Sequence, residues 1–195
     1  ATVSLKHIFK IYDGNVTAVS DFNLEIADKE FIVLVGPSGC GKSTFLRTLA
    51  GVDEQSSGKV YVGGKNVDEL APNDRGVALV FQEYALYPHM NAFDNMALPL
   101  KNAKMDKADI KDFVYGVARR LDIEYLLNRR PKHMSWGQRQ RVSLGRAICR
   151  RPGVMLLDEP LSGADEELRV ELRDTIKALH EEYGFTCVYV THDMK

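Results

Sequence analysis

Cysteine is scarce in this 195-residue chain: Cys40, Cys149 and Cys187 are scattered along it. Three thiols so placed make no disulfide framework, and a reducing compartment is expected. An excess of one charge is also missing, since 26 Lys and Arg face 27 Asp and Glu. That balance argues against a nucleic-acid partner held by a basic face. Long apolar runs are absent as well. The longest, "FIVLV" at 31–35 and "VALVF" at 77–81, fall far short of the ~20 residues that a membrane-crossing helix needs. They read as buried strands, and the chain is expected to be soluble on its own. No charged-then-apolar leader opens the chain, and Ala1 in place of Met reads as a trimmed start. Internal repeats and low-complexity tracts are missing too.

What is present alternates between two periodicities. "VSLKHIFKI", "TAVSDFNLEI" and "KEFIVLVG" read as strands separated by turn residues such as Asp13, Gly14 and Asn15. The pattern turns helical from Lys42 to Ala50 and stops at Gly51, a C-terminal cap. "GKVYVGGKNV" reads as a hairpin around Gly63 and Gly64, and "RGVALVFQ" as a strand. Residues 92–151 are largely helical. "GVMLLDEP" and "FTCVYVTH" are short apolar strands flanking a helix over 166–183, where Leu168, Leu172, Ile176, Leu179 and Tyr183 recur at helical spacing and Asp165 can cap. Strands alternating with helices imply a parallel α/β sheet carrying a mostly helical insertion at about 88–152.

"GPSGCGKST", residues 36–44, lies between a strand and a helix, the setting that a G-x-x-x-x-G-K-[ST] phosphate loop requires. Gly36, Gly39 and Gly41 let the backbone curl with Pro37, Ser38 and Cys40, so that successive amides point at phosphate oxygens. The helix starting at Lys42, Ser43 and Thr44 adds its positive end. Lys42 brings a full charge to the β- and γ-phosphates, and the Ser43 hydroxyl can ligate Mg²⁺. Chance matches arise in roughly one chain per hundred of this length, and the flanking elements lower that further. Cys40 reads most simply as a small residue that the loop tolerates; near a helix N-terminus, it is also expected to be alkylatable and protected by nucleotide.

Asp158 and Glu159 close the apolar strand "VMLLDEP", where open α/β sheets bind ligands. Alone, such a pair equally fits an acidic strand end that caps a helix. Behind a phosphate loop, Asp158 reads as the Mg²⁺ holder and Glu159 as the general base for the attacking water. His192 in "YVTHD", alone, is as readily structural. In this company it reads as the residue that orients γ-phosphate and water.

One cluster has no such chemistry: Ser135, Gly137, Gln138, Arg139 and Arg141 in "HMSWGQRQRV" crowd a helix start. "GPSGCGKST", "VFQEYALYPHM", "MSWGQRQRVSLGRAI", "LLDEPLSGAD" and "VTHD" together resemble, in order and spacing, the ATPase subunits of ABC transporters. They are most similar to those of bacterial sugar and glycerol-phosphate importers, the maltose-type group. The resemblance runs end to end. It implies an α/β P-loop NTPase with a RecA-like, mostly parallel sheet core, an N-terminal antiparallel β subdomain and a helical insertion subdomain, with residues 1–195 a C-terminally incomplete ABC ATPase domain.

The resemblance further implies that Tyr12 stacks on adenine and that Gln82 is the Q-loop glutamine, reaching Mg²⁺ and sensing the membrane partner. Ser135, Gly137 and Gln138 match the signature that covers the γ-phosphate on a partner subunit, and Asp165 matches the D-loop aspartate at the dimer seam. The expected cofactors are ATP and Mg²⁺. The expected partners are a second copy of the subunit or a paralogue, transmembrane permease subunits met through about 82–90, and indirectly an extracytoplasmic solute-binding protein. The expected location is the cytoplasmic face of a bacterial membrane.

Arg139 and Arg141 fit packing and ion pairing on their helix more simply than nucleotide contact, and the aromatic stretch 83–90 fits either local packing or a permease groove. Three departures from the family stand out. Trp136 replaces the first signature glycine, "SGAD" replaces the usual "SALD" or "SNLD", and the chain stops just past His192. Two other classes remain open at this point: an ABC ATPase outside transport, disfavoured by the lack of coiled-coil insertions or tandem cassettes, and a non-hydrolysing nucleotide sensor. A GTPase is disfavoured because no N-K-x-D motif occurs.

Overall fold

The computed structural model describes residues 1–81 and 85–193. Gln82 therefore lies outside the described residues, as do residues 83 and 84 of the aromatic stretch. The chain divides into two compact units. The first comprises Ala1–Leu79, Pro152–Glu159 and Gly184–Lys195; the second comprises Val80–Arg151 and Pro160–Tyr183.

Two sheets are built from the first unit, except for Val80 at the end of one strand. Strands β1 (Val3–Tyr12), β2 (Val16–Ile26), β4 (Ser57–Val62) and β5 (Lys65–Asn66) form one, in the order β2-β1-β4-β5, with antiparallel pairing throughout. Gly63 and Gly64, at φ 60° and 78°, make the two-residue turn between β4 and β5, a conformation that only glycine adopts at both positions without strain. Strands β3 (Phe31–Val35), β6 (Val77–Val80), β7 (Val154–Asp158) and β8 (Thr186–Thr191) form the other sheet, in the order β3-β8-β7-β6. There β8 runs parallel to both β3 and β7.

Six residues separate β3 from helix α1 (Lys42–Ala50). Its Phe45, Leu46, Leu49 and Ala50 meet Val3, Leu5 and Ile8 of β1, Val60 of β4, Leu156 of β7 and Val188 of β8 in one apolar core. Phe22 and Phe45 pack with tilted rings, their centroids 4.8 Å apart. Gly51 ends α1 at φ 81°, its amide donating to the carbonyls of Arg47 and Thr48. The buried Arg75 guanidinium reaches the carbonyls of Thr48 and Leu49, where a cation suits the negative end of a helix.

β7 is buried along its whole length, as both-faced parallel strands are. The sequence reading makes β3 a buried strand too, and this is corrected. Val33 is 50% and Val35 46% exposed; they share one face of the strand, while Ile32 and Leu34 on the other face pack against the core.

The second unit is helical: α2 (Ala92–Asn102), α3 (Lys107–Arg120), α4 (Trp136–Cys149) and α5 (Glu166–Tyr183). α2, α3 and α4 pack on one another. α4 comes so near α2 that a Cβ on Gly145 would stand 2.7 Å from Met96 Cε. α5 buries Leu172, Ile176 and Leu179, three of the five positions that its sequence periodicity picks out.

Candidate nucleotide-binding site and signature turn

Gly36 to Thr44 join β3 to α1. Gly39 and Gly41 sit at φ 82° and 92°, in the left-handed region where side chains are strained. The two differ in their surroundings. A Cβ on Gly39 would meet nothing within 4 Å, whereas one on Gly41 would lie 2.4 Å from the Ala18 carbonyl oxygen. Gly41 also caps α1 without a side-chain bond, and the first turn holds no carboxylate. The first intrahelical bond outside that turn runs from the Phe45 amide to the Gly41 carbonyl, at 2.9 Å. The amides of Lys42, Ser43 and Thr44 thus precede the helical ladder, and an anion is their natural partner. The Lys42 ammonium donates to the carbonyls of Gly36 and Pro37, at 2.5 and 2.7 Å, and lies 3.4 Å from Cys40 Sγ.

The other half of this site stands at the C-terminal ends of β7 and β8. Ser43 Oγ donates to Asp158 Oδ1 at 3.2 Å. Asp158 is nearly buried, and burial pushes its carboxyl above the usual range, with the Ser43 bond pulling the other way. Glu159 follows at φ 47°, an uncommon conformation for a non-glycine residue. Its amide donates to the Val190 carbonyl at 2.9 Å, which anchors the turn to β8. The carboxylate is thereby directed to His192, whose Nδ1 lies 2.8 Å from Glu159 Oε1, while Thr191 Oγ1 donates to Oε2 at 3.5 Å. Lys42, Ser43, Asp158, Glu159 and His192 all belong to the first unit.

These residues fit a triphosphate with a hard divalent cation. The loop offers amides and an ammonium to anionic oxygens, Gly41 has no room for a side chain, and Ser43 with Asp158 offers oxygen ligands. The cation would favour the ionised Asp158 that burial alone disfavours.

Tyr12, at the end of β1, is 40% exposed. Its hydroxyl donates to Asp53 Oδ2 at 3.2 Å, and Arg47 Nε donates to the same oxygen at 3.0 Å. The Arg47 bond is the main cause holding the Asp53 carboxyl below the usual range. Lys10 Nζ lies 4.9 Å from the Tyr12 ring centroid, within cation–π range. Sequence reading missed Arg47 and Asp53, because they sit on either side of the Gly51 cap and no spacing rule links them.

The remaining predicted residues form a separate cluster in the second unit. Ser135 caps α4: its hydroxyl accepts from the Gln138 amide at 3.2 Å, and Gln138 Oε1 accepts from the Ser135 amide at 2.8 Å. This is a reciprocal capping box, and Gln138 Nε2 donates onward to the Tyr125 hydroxyl at 3.2 Å. Gly137 is buried, and a Cβ there would stand 3.0 Å from Leu168 Cδ2, so its bareness serves contact with α5. Asp165 caps α5, accepting from the Leu168 amide at 2.9 Å.

Arg141 donates to Glu171 at 2.6 Å and to the Leu121 carbonyl, in keeping with a packing role. Gln140 is fully buried and donates to the Pro160 carbonyl at 2.8 Å; nothing in its sequence context signals this. In the aromatic stretch, Asn95 bonds both the amide and carbonyl of Tyr87, and Arg146 lies over its ring. Tyr87 remains 43% exposed.

A strand, a glycine loop with its lysine and a helix, facing a carboxylate at a parallel strand's end, define a P-loop nucleotide-binding fold. The sequence model of the family described as "ABC transporter" matches residues 19–162, and the chain belongs to that family. Over 99% of its length it is 56% identical to the oligosaccharides import ATP-binding protein MsmX of Bacillus subtilis. It is 51% identical, over the same share, to the sn-glycerol-3-phosphate import ATP-binding protein UgpC of Yersinia pseudotuberculosis. The chain spans about half the length of these relatives, 53% and 54%. Among solved structures it resembles the ATP-binding cassette MJ0796 in a dimeric post-hydrolysis state bound to ADP and Pi. That match has a TM-score of 0.88 and 31% identity, over 98% of this chain and 88% of the other. It also resembles cbiO1 of Clostridium perfringens, part of the cbiONQ transporter complex, with a TM-score of 0.90 and 25% identity over 98% and 78%. Among the described residues no helix is long and apolar enough to cross a membrane.

Proposed function

We propose that this chain is the ATP-binding and ATP-hydrolysing part of an ABC importer subunit. It closes head-to-tail, with a second copy or a paralogue, on two Mg-ATP. The single observation that carries this reading is the pairing at the ends of β7 and β8: Asp158 beside the phosphate-loop Ser43, and Glu159 beside His192.

In this reading the loop amides and Lys42 hold the β- and γ-phosphates and meet the charge that spreads over them in the transition state. Ser43, Asp158 and Gln82 would hold Mg²⁺, which would supply neutralisation of phosphate charge. Glu159 takes a proton from the attacking water as the bond from γ-phosphorus to the ADP oxygen breaks. His192, hydrogen-bonded to Glu159, keeps the carboxylate aimed and orients the water. Tyr12 stacks on adenine. Ser135, Gly137 and Gln138 serve the triphosphate of the partner copy, with Asp165 at the seam.

We assign residues 1–195 to one ABC ATPase domain with a helical subdomain at about 88–152. Transmembrane permease subunits dock at about 82–90 on the cytoplasmic face of the membrane, an extracytoplasmic binding protein delivers the solute, and that solute is a sugar or a related compound. The names of the similar import proteins support this reading.

Glu159→Gln tests it. ATP binding is expected to persist while turnover falls by about a hundredfold or more, and ATP-bound dimers accumulate in size-exclusion chromatography. Undiminished turnover would overturn the assignment, and an unchanged, inactive parent would favour a nucleotide sensor. For the partners, retention on membranes only when the integral subunits are co-expressed is the expected result.

A further inference from the structure

Trp136 is the first residue of α4, where the family's signature usually carries glycine. A large indole beside Ser135 raises the question of where it goes. It lies on Gly163, in the segment that leads to Asp165. A Cβ built on Gly163 would stand 2.8 Å from Trp136 Cε2 and 2.9 Å from both Cζ2 and Nε1. Those separations are shorter than side chains tolerate, so the indole occupies the space that an alanine at 163 would need. Both residues lie in the second unit. Two of the chain's departures from the family pattern, tryptophan for glycine at 136 and "SGAD" with glycine at 163, are therefore one exchange of volume between two facing positions.

We infer that Trp136 is a positioning residue that locks the signature turn to the loop before α5, and that Gly163 is the seat that makes this possible. The neighbouring contacts run the same way. Bare Gly137 lies against Leu168, the Leu168 amide is capped by Asp165, and Gln140 holds the Pro160 carbonyl from α4. With the indole seated, the start of α4 and residues 160–168 are joined at three places, and Ser135 and Asp165 move together. The inference rests on the proposed reading in one respect: under it, both segments face the partner's nucleotide. The seating itself does not depend on that reading.

The test is a two-by-two set in the intact protein: parent, Gly163→Ala, Trp136→Gly and the double variant. Trp136 is the only tryptophan of the 195 residues, and subtracting the Trp136→Gly spectrum isolates its emission. Gly163→Ala is expected to expel the indole into water, shifting its emission to longer wavelength without nucleotide, and to lower ATP turnover at least fivefold with little change in KM. In the Trp136→Gly background the same Gly163→Ala change is expected to move turnover by less than twofold, because the methyl then has room. Trp136→Gly alone removes the same lock and is expected to lower turnover about as much as Gly163→Ala does; turnover equal to the parent's would overturn the positioning role.

Parental emission in Gly163→Ala would overturn the seating. A Gly163→Ala defect of equal size in both backgrounds would overturn the coupling. Should the parent hydrolyse no ATP at all, the proposed function falls, while the emission comparison still decides whether the indole sits on Gly163.

Discussion

At the scale of single residues, the phosphate loop separates two uses of glycine that its sequence pattern treats alike. Gly39 needs only its backbone angle, whereas Gly41 needs that angle and the missing side chain. Gly39→Ala is expected to lower unfolding free energy by about 1–2 kcal/mol, the toll of a left-handed alanine. Gly41→Ala adds a collision with the Ala18 carbonyl and is expected to lose about 3 kcal/mol or more. Urea midpoints of the two variants measure the gap, and equal losses would contradict the 2.4 Å approach. The thiols separate in a similar way. Cys40 is exposed beside the Lys42 ammonium, while burial pushes the Cys149 thiol up to about 12 and raises that of Cys187 as well. A maleimide is expected to modify Cys40 alone, and ATP to slow that reaction; mass spectrometry of the labelled peptides checks both.

At the scale of elements, the ion pair of Arg47 with Asp53 joins the last turn of α1 to the loop that meets Tyr12. Asp53's folded pKa is depressed, so its contribution is present above the unfolded value near 4 and is lost as pH falls through the folded one. Arg47→Ala is accordingly expected to lower the unfolding midpoint at pH 7, and by much less in strong acid. An unchanged gap across that range would exclude the pair as the cause. At the start of α4, Ser135→Ala removes a cap and is expected to cost about 1 kcal/mol, so turnover of that variant is best compared at equal folded fraction.

Much of this level was legible beforehand. The strands, α1 with its Gly51 stop, and the Asp165 cap are local, set by alternation, turn glycines and cap residues within a few positions. The exposure of β3 was not legible, because an apolar run does not say which face of the strand is covered. The pairing of Trp136 with Gly163 and the bond of Gln140 to Pro160 were hidden for a related reason: each joins positions more than 15 apart in sequence.

For the whole molecule, the proposed dimer makes turnover a property of two chains. Rate per chain is expected to fall on dilution towards monomer, and a rate independent of concentration, with Ser135 variants fully competent, would exclude shared sites.

The parallel sheet carries a consequence for how the protein is made. Its strand β8 lies between β3 and β7, yet it is the last described strand to leave the ribosome. Until then β3 and β7 have no common neighbour, and the nascent β3 must wait through about 150 residues of synthesis without its parallel partner. Chains arrested before Thr186 should therefore stay open to protease and attract chaperones, and the sheet should close only once that strand has emerged.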